Sequence, residues 1–305
     1  MDGPWATWES PTAPTSVTIG VLDGVHRGHR ALIDRLDASM MRTVLTFDPH
    51  PVEVLRPGTP PRLITTIDER VDLLADIGVE LVGILDLSEI KEQSPEEFVE
   101  GVLVGKLGAE HLVVGVDFRF GKDRSGDVEL LDRLGPQLGL TMETIGLVAE
   151  EGSPVSSSRV RLLIEEGRVA EAASYLERWY AVTAKVVHGD ERGRQIGYPT
   201  ANVRPPSRKV VPGTGVYACF ASVGEDRHDA AVNVGVRPTF GGGELLIEAH
   251  LLDFDDDVYG RELTIEFVDY LRPELKFDGV GELVERMDDD VSRATGILSR
   301  ARARI

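Results

Sequence analysis

The chain has 305 residues, long for one small domain and comfortable for two. Its 52 acidic residues against 33 basic ones give a net charge of −19, which argues against a broad nucleic-acid surface, since that needs a positive footprint. One cysteine, Cys219, excludes an internal disulfide and a thiolate metal cluster, and no apolar run approaches membrane-spanning length.

The first eight residues lack the basic start and apolar core of a signal peptide, so a cytoplasmic location is expected. Val17-Thr-Ile19 reads as a strand that stops at Gly20. A glycine-punctuated turn carrying His26 and His29 follows, and Ala31 to Leu36 supplies an apolar helical face. Strand, glycine turn and helix is a layout that sets backbone N–H groups against a phosphate. Residues three apart near a helix start face the same way, so both imidazoles can stabilise charge on a triphosphate. The plainer reading is a surface turn that happens to contain histidines.

Thr43–Phe47 reads as a strand ending in Asp48-Pro-His50-Pro. Ile67 to Ile77 follows as a helix with Val71, Leu74 and Ile77 inward, and Leu81–Leu85 as a strand. Ser94, Pro95 and Glu97 spell a helix start that runs towards Leu107. His111–Gly115 is strand-like, and the polar loop to Asp127 is either a ligand loop or a solvated surface. Val155-Ser-Ser-Ser-Arg-Val-Arg161 opens a helix; its hydroxyls can cap that helix or, with Arg161 one turn on, bind a triphosphate. Alternating strands and helices predict a doubly wound parallel sheet with ligands beyond the C-terminal strand ends. His26, Asp48, His50 and Asp117 all follow candidate strands.

From about Trp179 the pattern changes. After a helical connector at Val169 to Leu176, strands are expected at Tyr180–Val187, Gly215–Val223, Ala230–Val234, Leu245–Leu252 and Leu263–Phe267, with helix only from Val280. This is the pattern of a compact antiparallel barrel with a C-terminal helix. The expected domains are therefore 1–179 and 180–305. In the second, Gly189, Gly193 and Gly197 punctuate a loop that can close over phosphates. Pro199 stiffens the approach to Thr200 and Asn202, whose side chains offer oxygen ligands to a hard cation. Glu248 in an otherwise apolar strand is either a solvent-facing residue or a positioned base, and His250 shares its face. Cys219 is expected in the core, and the acidic turn Asp253 to Asp257 as a solvated hairpin end.

Gly20-x-x-Asp23-Gly24-x-His26-x-Gly28-His29 resembles the HxGH signature of the nucleotidylyltransferase superfamily, and Val155 to Arg161 resembles its second signature. Gly197-Tyr-Pro-Thr-Ala-Asn202 resembles the riboflavin kinase signature. Together they resemble the prokaryotic bifunctional riboflavin kinase/FMN adenylyltransferase (FAD synthetase) family, over about Val17 to Asp290, with Leu22 where that family usually has an aromatic residue. The resemblance implies a Rossmann-like nucleotidylyltransferase domain followed by a small antiparallel β-barrel riboflavin kinase domain. It implies an ATP site in the first domain at Gly20, Asp23, Gly24, His26, Gly28, His29, Ser157, Ser158 and Arg161. Asp48, His50, Asp117 and Arg124 are its implied flavin and nucleotide loops. In the second domain it implies Glu248 as base, Gly189, Gly193, Gly197, Pro199, Thr200, Asn202 and Arg272 at the ATP and flavin site, and Mg2+ on Thr200 and Asn202. Riboflavin, FMN, FAD and ATP are the implied small-molecule partners, with no nucleic acid or membrane and with homo-oligomerisation left open. Two alternatives stay open at this stage: a kinase joined to an inactive transferase domain, and a flavin-binding protein without turnover.

Overall fold

The computed structural model describes residues 1–150, 152–188, 196–239, 242–277 and 279–302. They form two compact units, Met1–Ser157 and Ser158–Ile305.

The first unit is built on five parallel strands in the order β3-β2-β1-β4-β5. These are β1 (Thr15–Ile19), β2 (Met41–Phe47), β3 (Leu81–Leu85), β4 (Ala109–Gly115) and β5 (Thr141–Ile145). The strand order reverses between β1 and β4, the switch point at which open α/β sheets bind ligands. Helix α1 (Arg27–Ile33) and helix α3 (Ile67–Asp76) cover one face through Ile33 and Leu74, packed on Val44 and Val113. The other face, with Val17, Ile19, Leu45 and Leu112, is covered by α4 and α5. Helix α4 (Pro95–Glu97) continues as a π-helical segment, Phe98–Lys106, and α5 spans Val128–Leu138. A five-residue helix, α2 (Pro51–Leu55), follows β2.

Local chemistry accounts for the helix starts. Thr66 and Ser94 each accept from the N–H three residues on, Glu69 and Glu97, while those glutamates return to the cap N–H groups. Helix α1 stops at Ile33, short of the expected Leu36, because Arg35 and Leu36 close tight i→i−3 bonds to Leu32 and Ile33. Leu36 is nonetheless buried. On α3 the burial differs from the expected stripe: Arg70 and Leu74 are buried, while Val71 and Ile77 are only half so.

A short hairpin, β6 (Ala149–Glu150) with β7 (Ser153–Pro154), precedes α6 (Ser157–Glu165). The division between units falls at the first residue of α6.

The second unit is a closed antiparallel barrel in the order β10-β11-β12-β9-β8-β13. Its strands are β8 (Tyr180–Val187), β9 (Ala201–Val203), β10 (Gly215–Val223), β11 (Asp226–Thr239), β12 (Gly242–Leu251) and β13 (Glu262–Arg272). Helix α7 (Val169–Leu176) matches the expected connector and packs on β13 and β8. The register alternates residues between two sides. Tyr217, Val232, Ala249, Ala201 and Phe267 fall on the inner side with the buried thiol of Cys219, whose pKa burial pushes up. On the outer side, Val216, Ala218, Phe220 and Val268 pack against Ala294 and Leu298 of the last helix, α8 (Val280–Arg302). Among the described residues no helix is long and apolar enough to cross a membrane.

Candidate active sites

In the first unit, the turn after β1 brings His26 and His29 together. Their rings stack with centroids 3.6 Å apart and planes 18° from parallel. His26 is the N-cap of α1, and its carbonyl accepts from the N–H groups of His29 and Arg30. The glycine between the histidines leaves room for this packing: a Cβ on Gly28 would lie 3.1 Å from His26 Cε1, and the ring would have to shift by a few tenths of an ångström. Gly24 is dictated twice over, by a φ of +86° and by Ile64, whose methyls would be 3.0 Å from an added Cβ. Leu22 and Val25 also take positive φ, 48° and 41°, at about 1–3 kcal/mol of strain each. Both are at most 1 % exposed in the core under α1, and that burial holds the turn in place. Leu22 thus fills the position expected to be aromatic.

Asp23 is wholly buried. Its carboxylate accepts from the Ile64 and Thr65 N–H groups at 2.9–3.1 Å and from the Thr65 hydroxyl at 3.1 Å. Its backbone carbonyl accepts from Ser157 Oγ at 2.8 Å, a bond between the two signatures within the first unit. Ser158 and Arg161, which begin the second unit, stand about one turn apart on α6, with Arg161 Nη1 3.4 Å from Ser158 Oγ. Gly20 lies at the C-terminal end of β1, where a Cβ would press on Leu22 at 3.1 Å.

The remaining sequence candidates of this unit sit on neighbouring strand ends. Asp48 is exposed after β2. His50 caps α2, its Nδ1 accepting from Val52 N–H at 3.1 Å, so one ring nitrogen is occupied by the fold. Asp117 is exposed just past β4, on the other side of the switch point from β2. Arg124 is exposed further along the same loop, which is tied down by an Arg119–Asp127 ion pair at 2.6 Å and a Lys122–Glu92 pair at 2.9 Å.

In the second unit the register gathers a polar row on the outer side of the barrel. Glu248 on β12 stands directly opposite Asn202 on β9 and Asn233 on β11. Such cross-strand neighbours have Cβ atoms about 5 Å apart. Asn202 is 4 % exposed, and its Oδ1 has no hydrogen-bond partner among the described residues. A buried amide oxygen without a donor is costly unless something electropositive meets it. Glu248 is half-buried, as is Thr200 two residues before Asn202, so the segment offers carboxylate, hydroxyl and amide oxygens. That oxygen-only set suits a hard cation such as Mg2+.

His250 supports this row rather than joining it: its Nδ1 is 2.8 Å from the Pro199 carbonyl, and Tyr198 lies against its ring at 5.1 Å. The Tyr198 hydroxyl donates to Asp288 of α8, which pushes its pKa up to about 12. A cavity of about 290 Å3 opens beside Pro199 and Thr200, with Ala249, Phe254, Val258 and Tyr259 among its walls. Asp255 to Asp257 line it too, so the acidic turn is a cavity wall and not merely a hairpin end. Gly197 is exposed at the turn before Tyr198, and Gly189 and Gly193 lie outside the described residues.

Arg272 is buried, and Asp290 of α8 takes its Nε and Nη2 in a two-pronged pair at 2.7–3.0 Å. The guanidinium therefore pins α8 to the end of β13. Removing one partner of such a buried pair costs about 3–5 kcal/mol. Asp290→Asn should accordingly lower the unfolding midpoint of the barrel unit in denaturant, followed by near-ultraviolet circular dichroism. An unchanged midpoint would show that the pair anchors nothing. Asn233, Asp288 and Asp290 were not nominated from the sequence. Asn233 was detectable only as an amide within an apolar strand, and the two aspartates only as acids on a helix rich in them.

Two family models match this chain: FAD synthetase over residues 9–159 and riboflavin kinase over residues 176–298. The bifunctional riboflavin kinase/FMN adenylyltransferase of Bacillus subtilis is 34% identical over 301 residues, covering 95% of this chain and 94% of that one. Its counterparts in Escherichia coli K12 and Pseudomonas fluorescens are 36% and 37% identical, each covering 92% of both chains. A solved structure from Streptococcus pneumoniae, described as a macrolide-efflux protein, superposes with a TM-score of 0.89 at 30% identity over 96% of this chain and 97% of that one. With relatives of this identity matching along nearly their whole length, the chain belongs to the bifunctional riboflavin kinase/FMN adenylyltransferase family.

Proposed function

We infer that this chain makes FAD from riboflavin in two ATP-dependent steps, phosphorylation to FMN in the barrel unit and adenylyl transfer to FMN in the α/β unit. The observation that carries this reading is the match of named bifunctional relatives along both units of the chain.

In the kinase step, Glu248 accepts the proton of the ribityl hydroxyl as that oxygen attacks the γ-phosphorus of ATP, and ADP leaves. The nucleotide lies along Pro199, Thr200 and the adjoining cavity. Thr200 and Asn202 would hold Mg2+, a fit supported by Asn202 Oδ1, which has no hydrogen-bond partner among the described residues. When bound, the ion supplies compact positive charge to phosphate oxygens. Asn202→Ala should raise the Mg2+ needed for half-maximal FMN formation by at least about tenfold, since ligand-shell losses cost that much. Its effect on the Mg2+ dependence of FAD formation should be nil; an unchanged kinase dependence would remove Asn202 from the metal site.

In the transfer step an FMN phosphate oxygen attacks the α-phosphorus of ATP in line and pyrophosphate leaves, so no protein nucleophile is needed. His26 and His29 donate to the charge that develops on the transferred group, and Ser157, Ser158 and Arg161 to the departing phosphates. The turn glycines Gly20, Gly24 and Gly28 let the backbone approach ATP, and Asp23 holds that turn. Asp48, His50, Asp117 and Arg124 border the flavin side. The chain works in the cytoplasm, where ATP and riboflavin meet it.

The test is a chromatographic time course with the purified chain, riboflavin, ATP and magnesium. FMN followed by FAD is the expected result. FMN alone would leave a kinase, and neither product would leave a flavin-binding protein.

A further inference from the structure

Arg70 is a charged residue on the inward face of α3, in register with Ile67 and Leu74, and only 2 % of it is exposed. Its Nη1 donates to Thr46 Oγ1 at 3.1 Å and to the Phe47 carbonyl at 3.2 Å, at the residue where β2 gives way to the Asp48-Pro-His50 turn. The Thr46 hydroxyl in turn donates to the Val21 carbonyl at 2.9 Å, inside the turn that leads to His26. Arg70 Nη2 stands 3.9 Å from Asp23 Oδ1, and Asp23 fastens that same turn to residues 64 and 65. Burial opposes the guanidinium's charge, while the Asp23 and Asp48 carboxylates favour it.

For packing alone, an apolar side chain of similar volume would serve as well or better than a buried ion. What a guanidinium adds is a rigid fork of donors that can address several acceptors at once. Here its acceptors belong to the two turns that leave β1 and β2 at the C-terminal edge of the sheet. A displacement of about 1 Å in reacting groups costs on the order of a hundredfold in rate, so the registration of these turns is worth a buried charge.

We propose that Arg70 is a positioning residue for adenylyl transfer: it locks the His26–His29 turn and the Asp48–His50 turn to one another and thereby sets the reacting geometry. The proposal rests on the reading of this unit as the FMN adenylyltransferase. It requires no contact between Arg70 and substrate; the residue acts through Thr46, the Phe47 carbonyl and Asp23.

The experiment uses the full chain with Arg70→Met, Arg70→Lys and Thr46→Val, assayed well below the onset of melting and with near-ultraviolet circular dichroism as the check of folding. Riboflavin phosphorylation by the same molecules is the internal reference. Arg70→Met should lose about 30- to 100-fold in kcat for FAD formation at saturating ATP and FMN. Its kinase rate should stay within about twofold of wild type, the scatter expected of a site built on a separate fold. Arg70→Lys, which keeps the charge but not the fork, should recover part of the loss. Thr46→Val removes both the bond from Arg70 Nη1 and the relay to Val21, while Nη1 keeps the Phe47 carbonyl, so it decides the matter if Arg70→Met does not fold; about a three- to thirtyfold loss is expected for these two bonds. Full kcat per folded molecule in Arg70→Met, or in Thr46→Val if only that variant folds, would overturn the proposal and leave Arg70 a stability residue. A wild-type chain that makes FMN but no FAD would instead remove the adenylyl-transfer reading beneath it, and that outcome is read from the wild type alone.

Discussion

Glu248→Gln should lower riboflavin phosphorylation by about 10²- to 10⁴-fold, the usual weight of a positioned general base, and leave FMN adenylylation at the wild-type rate. The substitution keeps the size and shape of the side chain, so the polar row with Asn202 and Asn233 stays filled. What it removes is the ability to accept a proton. Loss of the base should appear in kcat, with KM for riboflavin and ATP little changed, because the proton moves in the transition state and not on binding. The assay follows FMN from riboflavin and, separately, FAD from supplied FMN. Parallel loss of both activities would sink the division of labour between the units. Retention of kinase activity would return Glu248 to an ordinary outer-side strand residue.

His29→Ala should do the reverse. Removing one preorganised donor to developing charge costs about 10²- to 10³-fold in kcat, and here the loss should fall on FAD formation alone. Two features sharpen the expectation. His29 is stacked on His26 at 3.6 Å, so its removal also frees the neighbouring ring, and His26→Ala should be about as damaging as the single loss while the double variant adds little. The backbone of the turn does not depend on either ring, because it is held by Asp23, Thr65 and the glycines. Unchanged kinase activity and an unchanged circular dichroism spectrum are therefore part of the prediction. A His29→Ala chain that still makes FAD at the wild-type rate would move the transfer chemistry elsewhere.

Both predictions rest on a division of labour proposed for these residues, between side chains that do chemistry and those that hold the loops carrying it. In the first unit His26 and His29 are proposed for the former group, whereas the buried Asp23 and Arg70 bond to the residues around their turn. In the second unit Glu248 stands between Asn202 and Asn233, while His250 braces Pro199 and Arg272 pins α8. Sequence reasoning placed Arg272 with the substrates, but its guanidinium is committed to Asp290 and the Pro273 carbonyl. Charged side chains of both kinds look alike in a string of letters, and only burial and partner geometry tell them apart.

Much was legible because its causes are local. The capping box at Ser94, the glycine turn after β1, the connector Val169–Leu176 and the strands Leu81–Leu85, Tyr180–Val187 and Gly215–Val223 all follow from side chains within a few residues of each other. The alternation of strands with helices, and then of strands with turns, was enough for a doubly wound sheet followed by a barrel. Weakly patterned elements escaped. β9 has three residues, β5 is a half-exposed sheet edge, and α5 begins in a loop dense with charge.

What tertiary structure alone decided are relations between residues distant in the chain. Asn202, Glu248 and Asn233 become neighbours only when β9, β12 and β11 pair in one particular register, and a slip of one residue would turn Glu248 to the inner side. Arg70 reads as an interruption of an apolar stripe until Thr46, Phe47 and Asp23 are folded onto it. The sequence by itself determined which residues could do chemistry and which kind of fold would carry them, since motif spacing and periodicity are local and strong. Which of them meet, and which are consumed in holding the others, was settled by long-range packing, because a buried charge or amide takes its meaning from the partner that compensates it.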